Sequence, residues 1–286
     1  MTAEEKAKYS REGLPKIKNI FTYTFNVLLK IIFLIYFGVG AIVLAILVFP
    51  FLRLYAHFAG KSDFGTVARA YVSRTFRDFL SQLSFLGGSK VIVQDREYFK
   101  NLHGKVIVAN HPSLLDFVYI MSLVPNSNCI VRGGLTKTPL AGVIKQAYIT
   151  NTTEFEDLCK LCKETIDKGN NVIIFPEGTR SPRHGQNNYK KGAARIALYS
   201  NANVLPLFIG GTDKYGLGKK DPLFSYNPVE RYIFDIQVLP EINIADYKEL
   251  SEPIAAKHVT EQIEKEIRGA GEEYPKTHTY KTYNNF

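Results

Sequence analysis

Short apolar runs that alternate with helical patterns place the strongest constraint on the fold of this chain. From Lys90 onward, runs rich in Val and Ile are separated by segments whose apolar residues recur at helical spacing. Continuous apolar runs are typical of parallel strands buried on both faces. We therefore predict an α/β fold with a largely parallel sheet covered by helices on both faces. The predicted strands are 91–93, 106–108, 129–131, 147–149, 172–174, 204–209 and 232–238, and the predicted helices lie near 113–124, 139–146, 154–168 and 190–199.

The second predicted strand runs into the heptapeptide Asn110–Asp116, NHPSLLD, which carries two ionisable side chains. Pro112 ends the strand because it lacks a backbone donor, so His111 lies at the carboxyl end, where ligands bind in open α/β sheets. Asp116 can reach the imidazole ring, fix its tautomer and stabilise the imidazolium. Such a pair is a general base suited to a hydroxyl nucleophile. Ser113 and Asp116 also fit a helix-capping box, and the heptapeptide alone leaves both interpretations open.

The fifth predicted strand runs into a second polar turn, Phe175–Ser181, FPEGTRS. Arg180 offers a bidentate fork for a phosphate or carboxylate. Gly178 lets backbone N–H groups approach a ligand closely. The turn therefore predicts an anion-binding site beside the base, and the alternative is a Pro-Gly loop with a solvent-exposed arginine.

Taken together, these two segments resemble the NHxxxxD and FPEGTRS blocks of the glycerolipid acyltransferase family, the group of 1-acylglycerol-3-phosphate acyltransferases. Tyr189–Arg195 resembles the family's lysine-glycine helix start and Val204–Leu207 its proline-containing strand, so the likeness covers roughly residues 88–240. The resemblance implies a membrane-bound enzyme of phospholipid biosynthesis that moves a fatty acyl group from acyl-CoA or acyl carrier protein to a hydroxyl of a lysolipid. The acceptor that it favours is 1-acylglycerol-3-phosphate. The implied catalytic residues are His111 and Asp116, and the residues implied to position the acceptor headgroup are Glu177, Gly178, Thr179 and Arg180.

The expected reaction is direct transfer without a covalent enzyme intermediate, and it requires no metal and no cofactor beyond the acyl donor as co-substrate. His111 takes the proton of the acceptor hydroxyl as that oxygen attacks the thioester. Backbone N–H groups at Gly178, or in the turn after His111, are expected to stabilise the oxyanion.

One stretch departs from the family pattern. Asn151 stands where the family has an arginine associated with the acceptor's phosphate, and Arg132 or Lys137 is a candidate to replace it. This substitution keeps open O-acylation of a lipid without the glycerophosphate group, such as a lyso-aminolipid. Two further alternatives do not depend on it, namely a catalytically silent membrane scaffold and a membrane-bound lipid hydrolase.

The first 87 residues are predicted to anchor the protein to a membrane, and residues 88–286 to form the acyltransferase catalytic domain. An apolar helix is predicted over about 20–52, and its uncharged run Ile31–Leu52 has 22 residues, enough to cross a bilayer core about 30 Å thick. This helix either spans the membrane, which we favour, or dips in and returns. A basic amphipathic helix is predicted over about 61–86, either at the interface or packed on the catalytic domain. Residues 1–19 are interpreted as a polar lead, mobile or lying on the surface.

A formal net charge of +9 indicates an anionic partner. No recognised nucleic-acid module is present and basic residues cluster near the apolar run, so we predict an anionic membrane surface and no nucleic acid. A thioester donor implies that the catalytic domain lies on the cytoplasmic side.

Cys159 and Cys162 share an apolar helix face and are interpreted as core residues. Gly211–Lys220 is interpreted as a loop at the acyl-donor entrance, and a helix over 251–268 is predicted to end at Gly269.

Overall fold

The computed structural model describes residues 3–280, apart from 61–62, 132, 138–140 and 152–153. This part of the chain contains one seven-stranded sheet, in which every neighbouring pair is parallel except the last two strands of the chain. The strands are β1 (Ser89–Val93), β2 (Val106–Ala109), β3 (Ser127–Val131), β4 (Tyr148–Thr150), β5 (Asn171–Ile174), β6 (Val204–Gly211) and β7 (Tyr232–Val238). Their order is β1-β7-β6-β2-β5-β3-β4. Each strand overlaps a predicted run, and the predicted α/β fold is confirmed.

The helices are α1 (Ala3–Lys8), α2 (Ile20–Val43), α3 (Phe49–Phe58), α4 (Phe64–Phe85), α5 (Arg96–Lys100), α6 (Asp116–Leu123), α7 (Ala141–Ala147), α8 (Phe155–Asp167), α9 (Gly192–Ser200) and α10 (Glu252–Thr277). Helices α6 to α9 overlap the predicted helices. Helix α6 begins later than predicted because the N–H and hydroxyl groups of Ser113 both donate to the carboxylate of Asp116, which holds the preceding turn outside the helix.

The last helix is longer than predicted. The sequence predicts an end at Gly269, whereas α10 continues to Thr277. A glycine inside a helix costs roughly 1 kcal/mol, and packing of the following turns offsets it. The ring of Tyr274 is buried 5.4 Å from that of Phe208, and its hydroxyl donates to Asp235 at 2.8 Å. These tertiary contacts extend the helix.

Side chains along each strand alternate between two hydrophobic layers. Ile107 of β2 lies in the layer formed with α2, α4 and α6. Its neighbours Val106 and Val108 lie in the layer formed with α8, α9 and α10. Cys159 and Cys162 are buried free thiols in this second layer, as predicted for core residues. Helices therefore cover both faces of the sheet.

Helix α2, a π-helical turn (Leu44–Val48) and α3 form one continuous helix, Ile20–Phe58, which by length and composition could cross a membrane. One side of this helix packs on the rest of the protein along its length, because Val27, Phe33 and Leu44 share a cluster with Leu205 of β6. The predicted domain boundary at residue 88 therefore lies inside a continuous core. The opposite side exposes apolar side chains at helical spacing, among them Phe21, Phe25, Leu28, Ile32, Ile35, Val39 and Ile46.

The residues before α2 also pack on the domain. The carbonyl oxygen of Lys8 accepts hydrogen bonds from the backbone N–H groups of Arg183 and His184, each at 3.0 Å. Tyr9 is 9% exposed. Of the two interpretations of residues 1–19, the surface-lying one is what the structure supports for residues 3–19.

Candidate functional site

The two polar motifs meet at the carboxyl ends of β2 and β5, which are parallel neighbours. The ring of Phe175, which follows β5, stacks on the ring of His111 with centroids 4.0 Å apart and planes at 16°. The backbones are joined as well, since the N–H of Ser181 donates to the carbonyl oxygen of His111 at 2.7 Å. The hydroxyl of Ser181 accepts from the N–H of His111 at 3.0 Å. The imidazole therefore lies on the turn Phe175–Ser181, which the sequence predicts to bind an anion.

His111 and Asp116 form the predicted pair. Nδ1 of His111 lies 2.8 Å from Oδ2 of Asp116, whose side chain is fully buried, while the His111 side chain keeps 18% exposure. An ionised carboxylate accepts from Nδ1–H, which leaves Nε2 unprotonated in the neutral ring. Asp116 also accepts from the N–H of Ser113 at 2.7 Å. Both interpretations of the heptapeptide therefore describe real contacts, because one carboxylate braces the ring and fixes the turn.

Asn110 fixes the other side of this turn, a role that the sequence interpretation missed. Its buried amide donates to the carbonyl oxygen of Ile209 at 3.1 Å and accepts from the N–H of Ile209 at 2.7 Å. The side chain thus replaces a backbone pairing with β6 at the point where Pro112 ends the strand. The sequence does contain a signal for this role, because Asn110 stands between a buried strand and a proline.

Glu177 is not among the described residues that line the cavity beside His111, so its predicted role on the acceptor headgroup stays a prediction. Its carboxylate is buried and accepts from the hydroxyl of Ser181, from the N–H of His111 at 3.3 Å and from Nδ2 of Asn187 at 2.9 Å. Burial raises the pKa of the Glu177 carboxyl, and these hydrogen bonds oppose the shift. Its position fits a residue that holds the turn together beneath the site.

Gly178, Thr179 and Arg180 do line the cavity. Gly178 adopts a φ of +65°, which a side chain would disfavour. Nη1 of Arg180 donates to the carbonyl oxygens of Leu217 and Gly218 at 2.8 and 2.9 Å. The same Leu217 carbonyl accepts from the N–H of Leu114 at 2.9 Å. One turn of the loop after β6 therefore orients both the arginine and the segment that follows His111.

The backbone donors expected for an oxyanion are already engaged. The N–H of Gly178 donates to Phe175, and in the turn after His111 the N–H groups of Ser113 and Leu114 donate to Asp116 and Leu217. Among the described residues, the N–H of Thr179 donates to no acceptor. It is therefore a better candidate than the groups that the sequence suggested.

A cavity of about 850 Å³ opens beside His111 and has largely apolar walls. Helices α2 and α4 contribute Phe37, Phe76 and Phe79, and the sheet contributes Val131 and Ile174. A cavity of this size and lining suits a long hydrocarbon chain. Because α2 and α4 form one wall, the cavity borders the helix whose other side is exposed and apolar.

The predicted replacements for the missing arginine have different outcomes. Asn151 lines the cavity, and its side-chain oxygen accepts from the N–H of Gly133 at 3.2 Å. Lys137 is exposed and is absent from the lining that the structure describes. Arg132 lies outside the described residues. The cavity is lined instead by Lys190 and Lys219, neither of which the sequence proposed as a replacement for the arginine.

Comparison with known proteins finds similarity to one family. Residues 90–210 match the family model described as Acyltransferase. A 1-acyl-sn-glycerol-3-phosphate acyltransferase of Helicobacter pylori is 30% identical over 165 residues, which cover 54% of this chain and 68% of that protein. The chloroplastic 1-acyl-sn-glycerol-3-phosphate acyltransferase BAT2 of Brassica napus is 30% identical over 188 residues, 62% of this chain. The match covers 52% of that relative, so this chain spans about half its length.

A solved structure has the same fold. The crystal structure of the 1-acyl-sn-glycerophosphate (LPA) acyltransferase PlsC from Thermotoga maritima superposes with a TM-score of 0.64 at 24% identity. The match covers 90% of this chain and 98% of that chain. It therefore extends to the N-terminal helices as well as the sheet.

Proposed function

This chain belongs to the acyltransferase family, and on that premise we propose that it moves a fatty acyl group from acyl-CoA or acyl carrier protein to the hydroxyl of a lysolipid. The proposed acceptor is 1-acylglycerol-3-phosphate, the substrate named for the relatives. The observation that carries the proposal is the pair of His111 and Asp116, 2.8 Å apart at one end of an apolar cavity that Arg180 also lines. The pair supplies a base, the cavity accepts an acyl chain, and the arginine attracts an anionic headgroup.

In the proposed reaction, Nε2 of His111 takes the proton of the acceptor hydroxyl as its oxygen attacks the thioester carbonyl. The new C–O bond gives a tetrahedral oxyanion, for which the N–H of Thr179 is the candidate donor. Collapse of the intermediate breaks the C–S bond, and the imidazolium returns the proton to the leaving thiolate. Asp116 holds the ring and stabilises its charge. The step needs no metal.

We propose that the helix Ile20–Phe58 binds the membrane along its exposed apolar side rather than crossing it, which revises our preference for spanning. Support comes from its opposite side, which is buried on the catalytic core along its length. A spanning helix would have to leave that contact. In-plane binding leaves the cavity beside the lipid, where an acyl chain enters without crossing water. The catalytic domain would then lie on the cytoplasmic side, where thioester donors occur.

A panel of acceptors tests the function. The purified protein is incubated in vesicles with radiolabelled acyl-CoA and either 1-acylglycerol-3-phosphate, a monoacylglycerol, or a lyso-aminolipid. We expect labelled product with the phosphate-bearing acceptor and none after His111→Ala. Labelled free fatty acid without an acceptor would indicate a hydrolase, and the absence of any product would indicate a scaffold.

A second acceptor class is motivated by Asn151, which lines the cavity in place of the expected arginine. If the acceptor carries no phosphate, the lyso-aminolipid or the monoacylglycerol will be the preferred substrate in the same panel. The ratio of kcat/KM values between the acceptors decides between the two classes.

A further inference from the structure

A segment near the N-terminus touches the anion-binding turn. The hydroxyl of Tyr9 donates to the carbonyl oxygen of Arg180 at 3.2 Å. The same oxygen of Tyr9 accepts from Nζ of Lys219 at 3.4 Å, and Nζ lies 4.6 Å from the centre of the Tyr9 ring. One tyrosine therefore joins two cationic residues that are 39 positions apart in the sequence and holds the lysine by a cation–π contact.

Lys219 and Arg180 share one wall of the cavity. Both line it together with His111. The guanidinium of Arg180 donates to the carbonyl oxygen of Gly218, the residue that precedes Lys219. The position of one cation is thus tied to the backbone that carries the other.

The charge of this wall is not balanced within the cavity. Among the described lining residues there is no Asp or Glu. The carboxylate nearest to Lys219 among the described ion pairs is that of Glu5, at 3.6 Å, longer than a direct hydrogen bond. The side chain of Lys219 is 25% exposed. Arg180 and Lys219, with Lys190 as a third cation in the lining, provide strong attraction for an anion with several oxygens.

We propose that Lys219 is a specificity-determining residue that binds the phosphate of the lysolipid acceptor together with Arg180, in place of the arginine that Asn151 replaces. Tyr9 is the positioning residue, because its hydroxyl contacts both Lys219 and the turn Phe175–Ser181 and so fixes their relative positions. The proposal rests on the proposed function, since it assigns the phosphate of that acceptor. The proposed phosphate site differs from the family pattern, because its second cation comes from the loop after β6.

The test compares three variants with the full-length protein. Lys219→Met removes the charge, Lys219→Arg keeps it, and Lys220→Met removes a neighbouring exposed charge that does not line the cavity. For each, KM and kcat are measured with 1-acylglycerol-3-phosphate and with monoacylglycerol, and KM is measured for acyl-CoA. We expect Lys219→Met to raise KM for the phosphate-bearing acceptor about tenfold or more, the loss of one charged hydrogen bond. In Lys219→Met, kcat with this acceptor, both constants for monoacylglycerol and KM for acyl-CoA should stay near wild type. All constants of Lys219→Arg and Lys220→Met should stay near wild type.

The ratio of kcat/KM between the two acceptors is independent of the fraction of folded enzyme, so a poorly folding variant still gives a result. An unchanged ratio in Lys219→Met would overturn the proposal while the transfer reaction stands. A rise in KM for acyl-CoA alone would assign Lys219 to the donor's phosphates and also overturn it. If the wild-type protein transfers to neither acceptor, the proposed function fails and this inference fails with it.

Tyr9→Phe tests the positioning role. It keeps the ring under Lys219 and removes the hydroxyl that joins Lys219 to Arg180. We expect a smaller, severalfold rise in KM for the phosphate-bearing acceptor, with kcat and KM for monoacylglycerol unchanged. Equal loss with both acceptors would mean that Tyr9 only stabilises the fold, and would remove it from the proposal.

Discussion

Nζ of Lys30 in the apolar helix α2 donates to the carbonyl oxygen of Gly216 at 3.0 Å, in the loop after β6. It also donates to the carbonyl oxygen of Ser225 at 2.5 Å. The turn at Gly216–Gly218 is closed by Asp221, whose Oδ2 accepts from the N–H groups of Gly216 and Gly218. This turn presents the carbonyl oxygens that orient Arg180. A continuous chain of hydrogen bonds therefore links the proposed membrane helix to the candidate site.

Lys30→Met should weaken this link. Losing two hydrogen bonds from a buried ammonium should lower the free energy of unfolding by about 1–2 kcal/mol, since methionine also removes the cost of burying the charge. KM for the phosphate-bearing acceptor should rise severalfold because the turn that holds Arg180 loosens. Thermal unfolding and acceptor kinetics measure the two effects. Lys18→Met, at an exposed lysine just before α2, is the matched control. A destabilised Lys30→Met protein with wild-type KM would show that the link carries stability alone.

Asp116→Asn should reduce kcat by several orders of magnitude while the protein stays folded. The amide can present its N–H to Nδ1 and so favour the wrong tautomer of His111, a change that costs roughly 10⁴-fold in a serine protease. Asp116 also accepts from Ser113, so circular dichroism and thermal unfolding must accompany the kinetics. Ser113→Ala provides the contrast, because it removes a turn contact and leaves the ring contact. If Ser113→Ala lost as much activity as Asp116→Asn, the carboxylate would matter for the turn and not for the base.

Much of this site could be predicted because the relevant signals are local. The strand, the proline and the helix start together place His111 at the carboxyl end of a strand. The five-residue spacing from His111 to Asp116 lets their side chains meet. The fifth strand puts Arg180 at the same end of the sheet, since β2 and β5 are parallel neighbours. Local spacing therefore predicts which side chains lie at the carboxyl ends of the strands.

The remaining features depend on contacts between distant segments. Glu177 lies in the same turn as Arg180, yet it faces inward because Asn187 and the backbone of His111 supply its donors. Gly269 fails to end α10 because Tyr274 packs on the sheet. Tyr9 and Lys219 meet across 210 positions. No spacing rule within a single segment contains these pairings.

Glu177→Gln should change how stability depends on pH. Burial raises the carboxyl pKa above its ordinary value of 4.5, so the folded state binds the proton more tightly than the unfolded state. The stabilising contribution is present below the ordinary value and is lost as the pH rises through the folded-state pKa. The free energy of unfolding of the wild type should therefore decline relative to that of Glu177→Gln as the pH increases just above 4.5. Chemical denaturation of both proteins across this range measures the difference. Parallel pH profiles would show that Glu177 keeps an ordinary pKa.

Charges placed on the exposed side of α2 should weaken membrane binding without unfolding the protein. Phe25 and Ile32 are 55% and 60% exposed and lie on the apolar side opposite the core. Phe25→Asp together with Ile32→Asp should reduce co-flotation with vesicles containing anionic lipid, because a carboxylate resists transfer into the interface. Thermal unfolding in detergent should stay close to wild type, and so should transfer to a detergent-solubilised acceptor.

The matched control is Leu161→Asp, at an exposed apolar residue of α8 on the opposite layer. Wild-type flotation of the α2 double variant would mean that another surface binds the membrane. Unfolding of the double variant in detergent would instead show that this side of α2 packs against protein.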